Sequence, residues 1–140
     1  MIRKKKVLFI CTANAARSQM AEGYLRSKYG NKYDVFSAGT RKSRISERAI
    51  MVMREIGIDI SNKNSKTLDE VAGMKYDIAV TLCDRAHQVC PIVPFAEKTI
   101  HRGFDDPHLT PGTDEEVLIG YRKVRDEIIQ WIDKEFIKIQ

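Results

Sequence analysis

The stretch that decides the fold runs from residue 7 to residue 18: Val7-Leu8-Phe9-Ile10-Cys11-Thr12-Ala13-Asn14-Ala15-Ala16-Arg17-Ser18. Its first four residues form a continuous apolar run that ends at small and polar residues, which is typical of a strand buried on both faces. From Ser18 the apolar residues recur with helical period, and Gly30 marks the end of that helix. The stretch therefore predicts a strand, a short loop and a helix, the unit from which parallel sheets are built.

The rest of the chain continues the alternation. Strands are predicted at residues 33–36, 78–82 and 98–101, and helices at residues 47–56, 67–73 and 113–136. Ser46 is the expected N-cap of the second helix, and capping boxes begin at Thr67 and Thr113. This order predicts an α/β three-layer sandwich, with a central, mostly parallel four-stranded sheet and helices on both faces. Residues 1–140 show no repeat or linker, so a single domain is expected.

Composition and charge exclude several classes of protein. With 140 residues, 43% hydrophobic and 31% charged, the chain is neither collagen-like, nor disordered, nor a disulfide scaffold. Its net charge of +5 is spread over separate segments without interleaved aromatic residues, so no nucleic-acid partner is expected. No run approaches the roughly 18 apolar residues of a membrane span. The apolar run after the basic N-terminus is shorter than the roughly 7–15 residues of a secretory signal, which predicts a cytoplasmic protein with reduced thiols.

The loop after the first strand has the composition of an oxyanion site. Small residues allow backbone N–H groups to converge on an anion at a helix N-terminus. The predicted oxyanion-binding residues are Thr12, Ala13, Asn14, Ala15, Ala16 and Arg17. Cys11 is the expected nucleophile because the helix dipole stabilises a thiolate there. Arg17 is expected to bind two oxygens at once, and Ser18 to donate a hydrogen bond to the sulfur. A buried cysteine without chemistry is the alternative.

This loop resembles the phosphate-binding loop of the low-molecular-weight protein tyrosine phosphatase superfamily, and the chain is most similar there to the thioredoxin-coupled arsenate reductases. The similarity extends over residues 17–23, 37–39, 58–61, 80–83, 90–91, 103–107 and 124–128. Cys83 and Cys90, which follow the third strand, distinguish the reductase branch. The resemblance implies an enzyme that reduces arsenate to arsenite, and no metal or cofactor is expected. A monomer is expected because the apolar stripes of the helices are used within the chain. Hydrolysis of phosphomonoesters through a Cys11 phosphocysteine is the alternative activity, and a redox-sensing regulator is a third interpretation.

The mechanism of this family implies a relay of three cysteines. Cys11 attacks arsenate, Cys83 attacks Cys11 with release of arsenite, and Cys90 attacks Cys83 to form a disulfide that thioredoxin reduces. If residues 83–90 are helical, the two Cα atoms lie roughly 10 Å apart. That separation exceeds the roughly 7 Å limit of a disulfide, so the segment must unwind. Two free cysteines, or a zinc site completed by His87, are the alternatives.

Asp106 is the candidate general acid. Pro107 favours an extended backbone at Asp106, and the resemblance implies that this carboxyl protonates a leaving oxygen. A simple turn cluster of Asp and Pro is the alternative. His108 stands where phosphatases of this fold usually have a tyrosine, which disfavours a tyrosine phosphatase.

Some reductases of this group bind potassium at positions that match Asn14, Glu22, Ser37 and an aspartate. Lys66 stands at the aspartate position of this chain. An ammonium group there would supply the positive charge of the ion, so we expect no potassium requirement.

Overall fold

The chain alternates strands and helices in the predicted order. The computed structural model describes residues 3–82 and 93–139, and Cys83, His87 and Cys90 lie outside the described residues. The elements are β1 (Lys5–Cys11), α1 (Arg17–Tyr29), β2 (Tyr33–Gly39), α2 (Glu47–Arg54), α3 (Leu68–Val71), β3 (Tyr76–Thr81), β4 (Ala96–His101) and α4 (Asp114–Ile139). A 3₁₀ turn at Pro107–Leu109 precedes α4. All strand pairs are parallel in the order β2-β1-β3-β4, which confirms the predicted fold class.

β1 lies in the middle of the sheet, between β2 and β3. Val7 and Phe9 pack into a core with side chains of α1, α2 and α4, whereas Leu8 and Ile10 pack on the other face near Val71 of α3. All four strand residues are fully buried, which is why their sequence is apolar without alternation.

The register of the strands sets the position of the oxyanion loop. Cys11 at the end of β1 pairs with Gly39 at the end of β2, and Ile10 pairs with Thr81 at the end of β3. The carboxyl ends of three strands therefore meet at one edge, where ligands of open parallel sheets bind.

The long helix α4 closes one face of the molecule. Its buried stripe comprises Val117, Tyr121, Val124, Ile128, Ile132 and Phe136. The predicted capping box is present, because Thr113 N donates to Glu116 Oε1 at 3.0 Å and Glu116 N donates to Thr113 Oγ1 at 3.2 Å. α4 packs against α1 and α2, and it thereby holds both helices at the edge that carries the loop.

The end of α2 differs from the sequence-based expectation. α2 ends at Arg54, before the predicted Ile56, because the chain tightens into a turn in which Ile56 N donates to Met53 O. Gly57 follows with a φ of 82°, which favours glycine.

Within residues 3–82 and 93–139, every helix is too short or too polar to span a bilayer.

An ion pair anchors the N-terminal segment to the start of β3. Arg3 donates to both carboxylate oxygens of Asp77, at 2.8 and 2.9 Å, and Lys6 N donates to the same group at 2.7 Å. The hydrogen bond from Arg3, assisted by the backbone bond, lowers the pKa of Asp77 to about 2.

Candidate active site

The loop between β1 and α1 is held by hydrogen bonds to its carbonyl groups. Thr12 O accepts the N–H of Arg41 at 3.0 Å, and Ala15 O accepts the N–H of Ser46 at 2.9 Å. In a trans peptide, the N–H of the next residue points away from the preceding carbonyl oxygen. Because these two carbonyl oxygens face the segment that contains Arg41 and Ser46, the N–H groups of residues 13 and 16 point away from that segment, toward the inside of the loop. The backbone thus has the donor arrangement of an anion-binding nest at the start of α1.

Gly39 is a structural requirement of this loop that the sequence analysis did not single out. A Cβ at Gly39 would lie 2.7 Å from both Asn14 N and Thr12 O, so any larger residue would collide with the loop backbone. Its own N–H donates to Lys66 O at 2.7 Å. The available signal was a glycine three residues beyond the predicted strand 33–36, because a glycine near a strand can mark a close backbone approach.

Cys11 and Ser18 are in direct contact at the base of the loop. Cys11 Sγ lies 2.8 Å from Ser18 Oγ, and Asn14 Nδ2 donates to the same oxygen at 2.8 Å. Because an amide nitrogen only donates, Ser18 Oγ is the acceptor in the second bond and its own hydrogen is left for the sulfur. Ser18 therefore directs its hydroxyl hydrogen toward Cys11 Sγ.

The side-chain amide of Asn14 forms hydrogen bonds through both its oxygen and its nitrogen. Its oxygen accepts from Gln19 Nε2 and from Lys66 N, both at 2.9 Å, and its nitrogen also donates to Ser37 Oγ at 2.9 Å. Ser37 in turn donates to Glu22. These bonds fix which end of the amide faces Ser18, and they hold Asn14 in the left-handed region with a φ of 52°.

Glu22 ends this hydrogen-bond network and is paired with Arg26. The Glu22 side chain is only 4% exposed, and its Oε2 lies 2.5 Å from Arg26 Nη2 one turn along α1. The ammonium group of Lys66 donates instead to Asn64 O at 3.0 Å. Arg26, rather than the expected Lys66, therefore supplies the positive charge beside Glu22.

The same network does not fit a potassium ion. The side-chain oxygens of Asn14, Ser37 and Glu22 already accept N–H or O–H donors, and a guanidinium group stands beside the carboxylate. Independence from potassium stays a prediction.

Arg17 and Asp106 lie within 4 Å of each other and line the same cavity as Cys11. Arg17 is the first residue of α1, and its Nη1 donates to Phe104 O at 3.0 Å. Its Nη2 lies 3.8 Å from Asp106 Oδ2, while Asp106 Oδ1 accepts the N–H of His108 at 3.0 Å. Asp106 therefore caps the 3₁₀ turn and directs its second oxygen toward the guanidinium.

A cavity of about 740 Å³ brings most of the predicted site residues together. Those that line it are Cys11, Thr12, Ala13, Ala15, Ala16, Arg17 and Asp106. Ser18 and Asn14 are fully buried behind the loop, where they contact each other and, through Ser18, Cys11. Asn14 thus shapes the loop through its side chain, and contact of its backbone N–H with the oxyanion stays a prediction.

Comparison with known proteins places this geometry in a family. Residues 6–138 match the family described as low molecular weight phosphotyrosine protein phosphatase. The chain belongs to this family. The match confirms the family that the loop sequence indicated, and it supports the prediction of an enzyme.

Similar members of the family are named arsenate reductases. The arsenate reductase of Halalkalibacterium halodurans is 46% identical over 127 residues, which cover 91% of each chain. That of Bacillus subtilis is 42% identical over 127 residues, again 91% of each chain. These names confirm the prediction of an enzyme.

Solved structures agree with the fold and the family. An arsenate reductase in the phosphate binding state has a TM-score of 0.82 at 32% identity, over 97% of this chain and 99% of that one. The low molecular weight protein tyrosine phosphatase from T. tengcongensis has a TM-score of 0.75 at 27% identity, over 96% and 99%.

Proposed function

We propose that this chain reduces arsenate to arsenite through Cys11, Cys83 and Cys90, and that thioredoxin regenerates the thiols. The observation that carries the proposal is the Cys11 sulfur, which lies 2.8 Å from Ser18 Oγ in a cavity that Arg17 also lines. A nucleophilic sulfur beside convergent oxyanion donors suits attack on a tetrahedral oxyanion. The names of the similar proteins support arsenate as that oxyanion.

The first step forms a bond between sulfur and arsenic. The Cys11 thiolate attacks arsenate, the S–As bond forms, and one As–O bond breaks as that oxygen leaves as water. Asp106 donates the proton that the leaving oxygen needs, as a general acid. Negative charge on the remaining oxygens is stabilised by the loop N–H groups and by Arg17, whose side chain is 4% exposed.

The next steps transfer two electrons to arsenic. The Cys83 thiolate attacks the Cys11 sulfur, an S–S bond forms, and the S–As electron pair stays on arsenic, which leaves as arsenite. Cys90 then attacks Cys83, and Cys11 departs as a thiolate that Ser18 again stabilises. A dithiol of the thioredoxin type reduces the Cys83–Cys90 disulfide by exchange, which closes the cycle.

Single replacements of the cysteines test the relay. With thioredoxin and its reductase present, we expect Cys83→Ser and Cys90→Ser to abolish arsenate-dependent NADPH consumption, and Cys11→Ser to abolish it as well. Hydrolysis of p-nitrophenyl phosphate serves as the control, since it needs Cys11 but neither of the other two. Full thioredoxin-coupled turnover in both the Cys83 and Cys90 variants would contradict the relay.

Phosphatase activity is a second candidate function, because Asp106 lines the same cavity as Cys11. A phosphomonoester in the loop would transfer its phosphoryl group to Cys11, with protonation of the leaving alcohol by Asp106. We expect Asp106→Asn to slow p-nitrophenyl phosphate hydrolysis by about 10²-fold or more, the usual contribution of a general acid. An unchanged rate would remove Asp106 from that role.

We further propose that the chain acts in the cytoplasm as a one-domain monomer. Reducing conditions there keep relay cysteines in the thiol form. The apolar stripe of α4 is buried within the chain, which leaves that stripe unavailable to a second copy. Light scattering during gel filtration should give the mass of one chain, and a dimer mass would overturn the proposed oligomeric state.

A further inference from the structure

The cavity above Cys11 is larger than a single oxyanion requires. Its volume of about 740 Å³ falls in the range of about 300–1,000 Å³ that encloses organic ligands of drug size. A tetrahedral oxyanion occupies only the part next to the loop. The remaining wall is formed by residues of the segment 41–48, of α2, of the 3₁₀ turn and of α4, including Arg41, Arg44, Ile45, Leu118 and Tyr121.

The segment that carries these arginines is tied to the oxyanion loop. The N–H of Arg41 bonds to Thr12 O at 3.0 Å, and the N–H of Ser46 bonds to Ala15 O at 2.9 Å. Between these two hydrogen bonds, Ser43 N donates to Ser65 Oγ at 2.9 Å. The backbone that bears Arg41 and Arg44 is therefore held beside the loop, and both side chains border the same cavity as Cys11.

Two arginines of this segment, Arg41 and Arg44, take no part in the ion pairs of the described residues. Lys42 and Arg48 are paired with carboxylates, at 3.5 and 3.0 Å. Arg41 and Arg44 form no ion pair with a carboxylate of the described residues. Two carboxylates border this part of the wall: Asp114 is the partner of Arg48, and Glu47 lies in the first turn of α2, where the helix dipole stabilises it. The rim of the cavity, formed by residues 41–48, therefore contains two guanidinium groups that can bind an anion.

We propose that Arg41 and Arg44 form a second anion subsite, so that the pocket binds small organic phosphomonoesters carrying a second anionic group. The first phosphate occupies the loop beside Arg17, and the second phosphate or carboxylate pairs with the rim guanidinium groups. Ile45 and Leu118 contact the carbon skeleton between the two anions. The subsite rests on oxyanion binding by the loop and not on the cysteine relay.

Titration calorimetry on the Cys11→Ser protein, which cannot form a phosphocysteine, tests the subsite. The probes are inorganic phosphate, fructose 6-phosphate, 6-phosphogluconate and fructose 1,6-bisphosphate. We expect the bisphosphate to bind about tenfold more tightly than fructose 6-phosphate, since one charge-assisted contact is worth about that factor. An equal gain for 6-phosphogluconate shows that any anion suffices, and a gain for the bisphosphate alone shows a preference for phosphate; both support the subsite.

Variants in the same background identify the residues. Arg41→Gln with Arg44→Gln should remove the gain for the second anion while changing the affinity for inorganic phosphate less than about threefold. Lys98→Gln with Lys123→Gln removes the same charge at positions outside the cavity wall, and it should keep the gain. Equal affinity for the mono- and bisphosphate, or the same loss in the control, overturns the subsite alone. Failure of inorganic phosphate to bind overturns both the subsite and the oxyanion loop of the proposed function.

Discussion

Replacement of Gly39 by alanine tests whether the close approach of β2 sets the geometry of the oxyanion loop. The new Cβ would lie 2.7 Å from Asn14 N and Thr12 O and 2.9 Å from Ala13 C. Ordinary contact begins at 3.4 Å, so the two backbones must separate by about 3.4 − 2.7 = 0.7 Å. The overlapping atoms belong to the backbone, and no rotamer change relieves them.

The size of this displacement sets the expected loss. A shift of about 1 Å in a catalytic group can cost about 10²-fold in rate. We therefore expect Gly39→Ala to lower kcat/KM for thioredoxin-coupled arsenate reduction by about 10- to 100-fold. Overpacking should also lower the free energy of unfolding by about 1–3 kcal/mol. Urea denaturation measures the second quantity, and calorimetry with inorganic phosphate tests the loop without the relay.

Gly73→Ala is the matched control for Gly39→Ala. Apart from its two neighbours in the chain, no atom of residues 3–82 and 93–139 lies within 4 Å of the position of its Cβ. We expect unchanged phosphate affinity and kcat/KM, with the free energy of unfolding within about 1 kcal/mol of the parent. A folded Gly39→Ala protein with the parent's phosphate affinity and kcat/KM would refute the argument that this glycine sets the loop geometry.

Three further predictions follow from hydrogen bonds and ion pairs. Ser18→Ala removes a donor to the Cys11 sulfur, and kcat for arsenate reduction should fall by about 10- to 100-fold, because a hydrogen bond to a charged group contributes about 1.5–3 kcal/mol. Arg26→Gln leaves the buried Glu22 without its cation, and urea denaturation should show a loss of about 2 kcal/mol in the free energy of unfolding. Asp77→Asn should destabilise the protein at neutral pH but not near pH 2. The pKa of Asp77 lies at about 2 in the folded chain against an ordinary 3.8, so its stabilisation is complete above about pH 4 and is lost as pH falls through 2.

Each of these changes has a control. Ser18→Thr keeps a hydroxyl and should retain more activity than the alanine variant, and equal losses would point to packing. Adding Glu22→Gln to Arg26→Gln should recover stability, because the unpaired charge is then absent; an additive loss would show that the two residues do not interact. A stability difference for Asp77→Asn that persists unchanged from pH 7 to pH 2 would contradict the assigned ion pair.

Much of the fold was predictable because the deciding signals are local. Val7–Ile10 are apolar without alternation since both faces of β1 are covered, and this is visible in four consecutive residues. The capping box at Thr113 needs only the residue three positions later. Apolar periodicity placed the end of α2 two residues too late, because the turn that leads into Gly57 begins after Arg54.

The sequence by itself determined the chemistry at the sheet edge. Cys11 and Arg17 are separated by a loop so short that the strand before it and the helix after it place both at the same edge of the sheet. Their juxtaposition in one cavity follows from local geometry alone.

Only the tertiary structure decided what surrounds that point. Asn14, Ser37 and Glu22 join in one network because parallel pairing of β1 and β2 sets their register, and that register depends on the packing of both faces. Glu22 pairs with Arg26, and not with the expected Lys66, because Arg26 lies one turn further along α1. The Lys66 ammonium donates to Asn64 O instead. The need for glycine at position 39 likewise exists only once β2 lies against the loop. Contacts between segments distant in sequence depend on how the layers pack, and no local pattern contains that information.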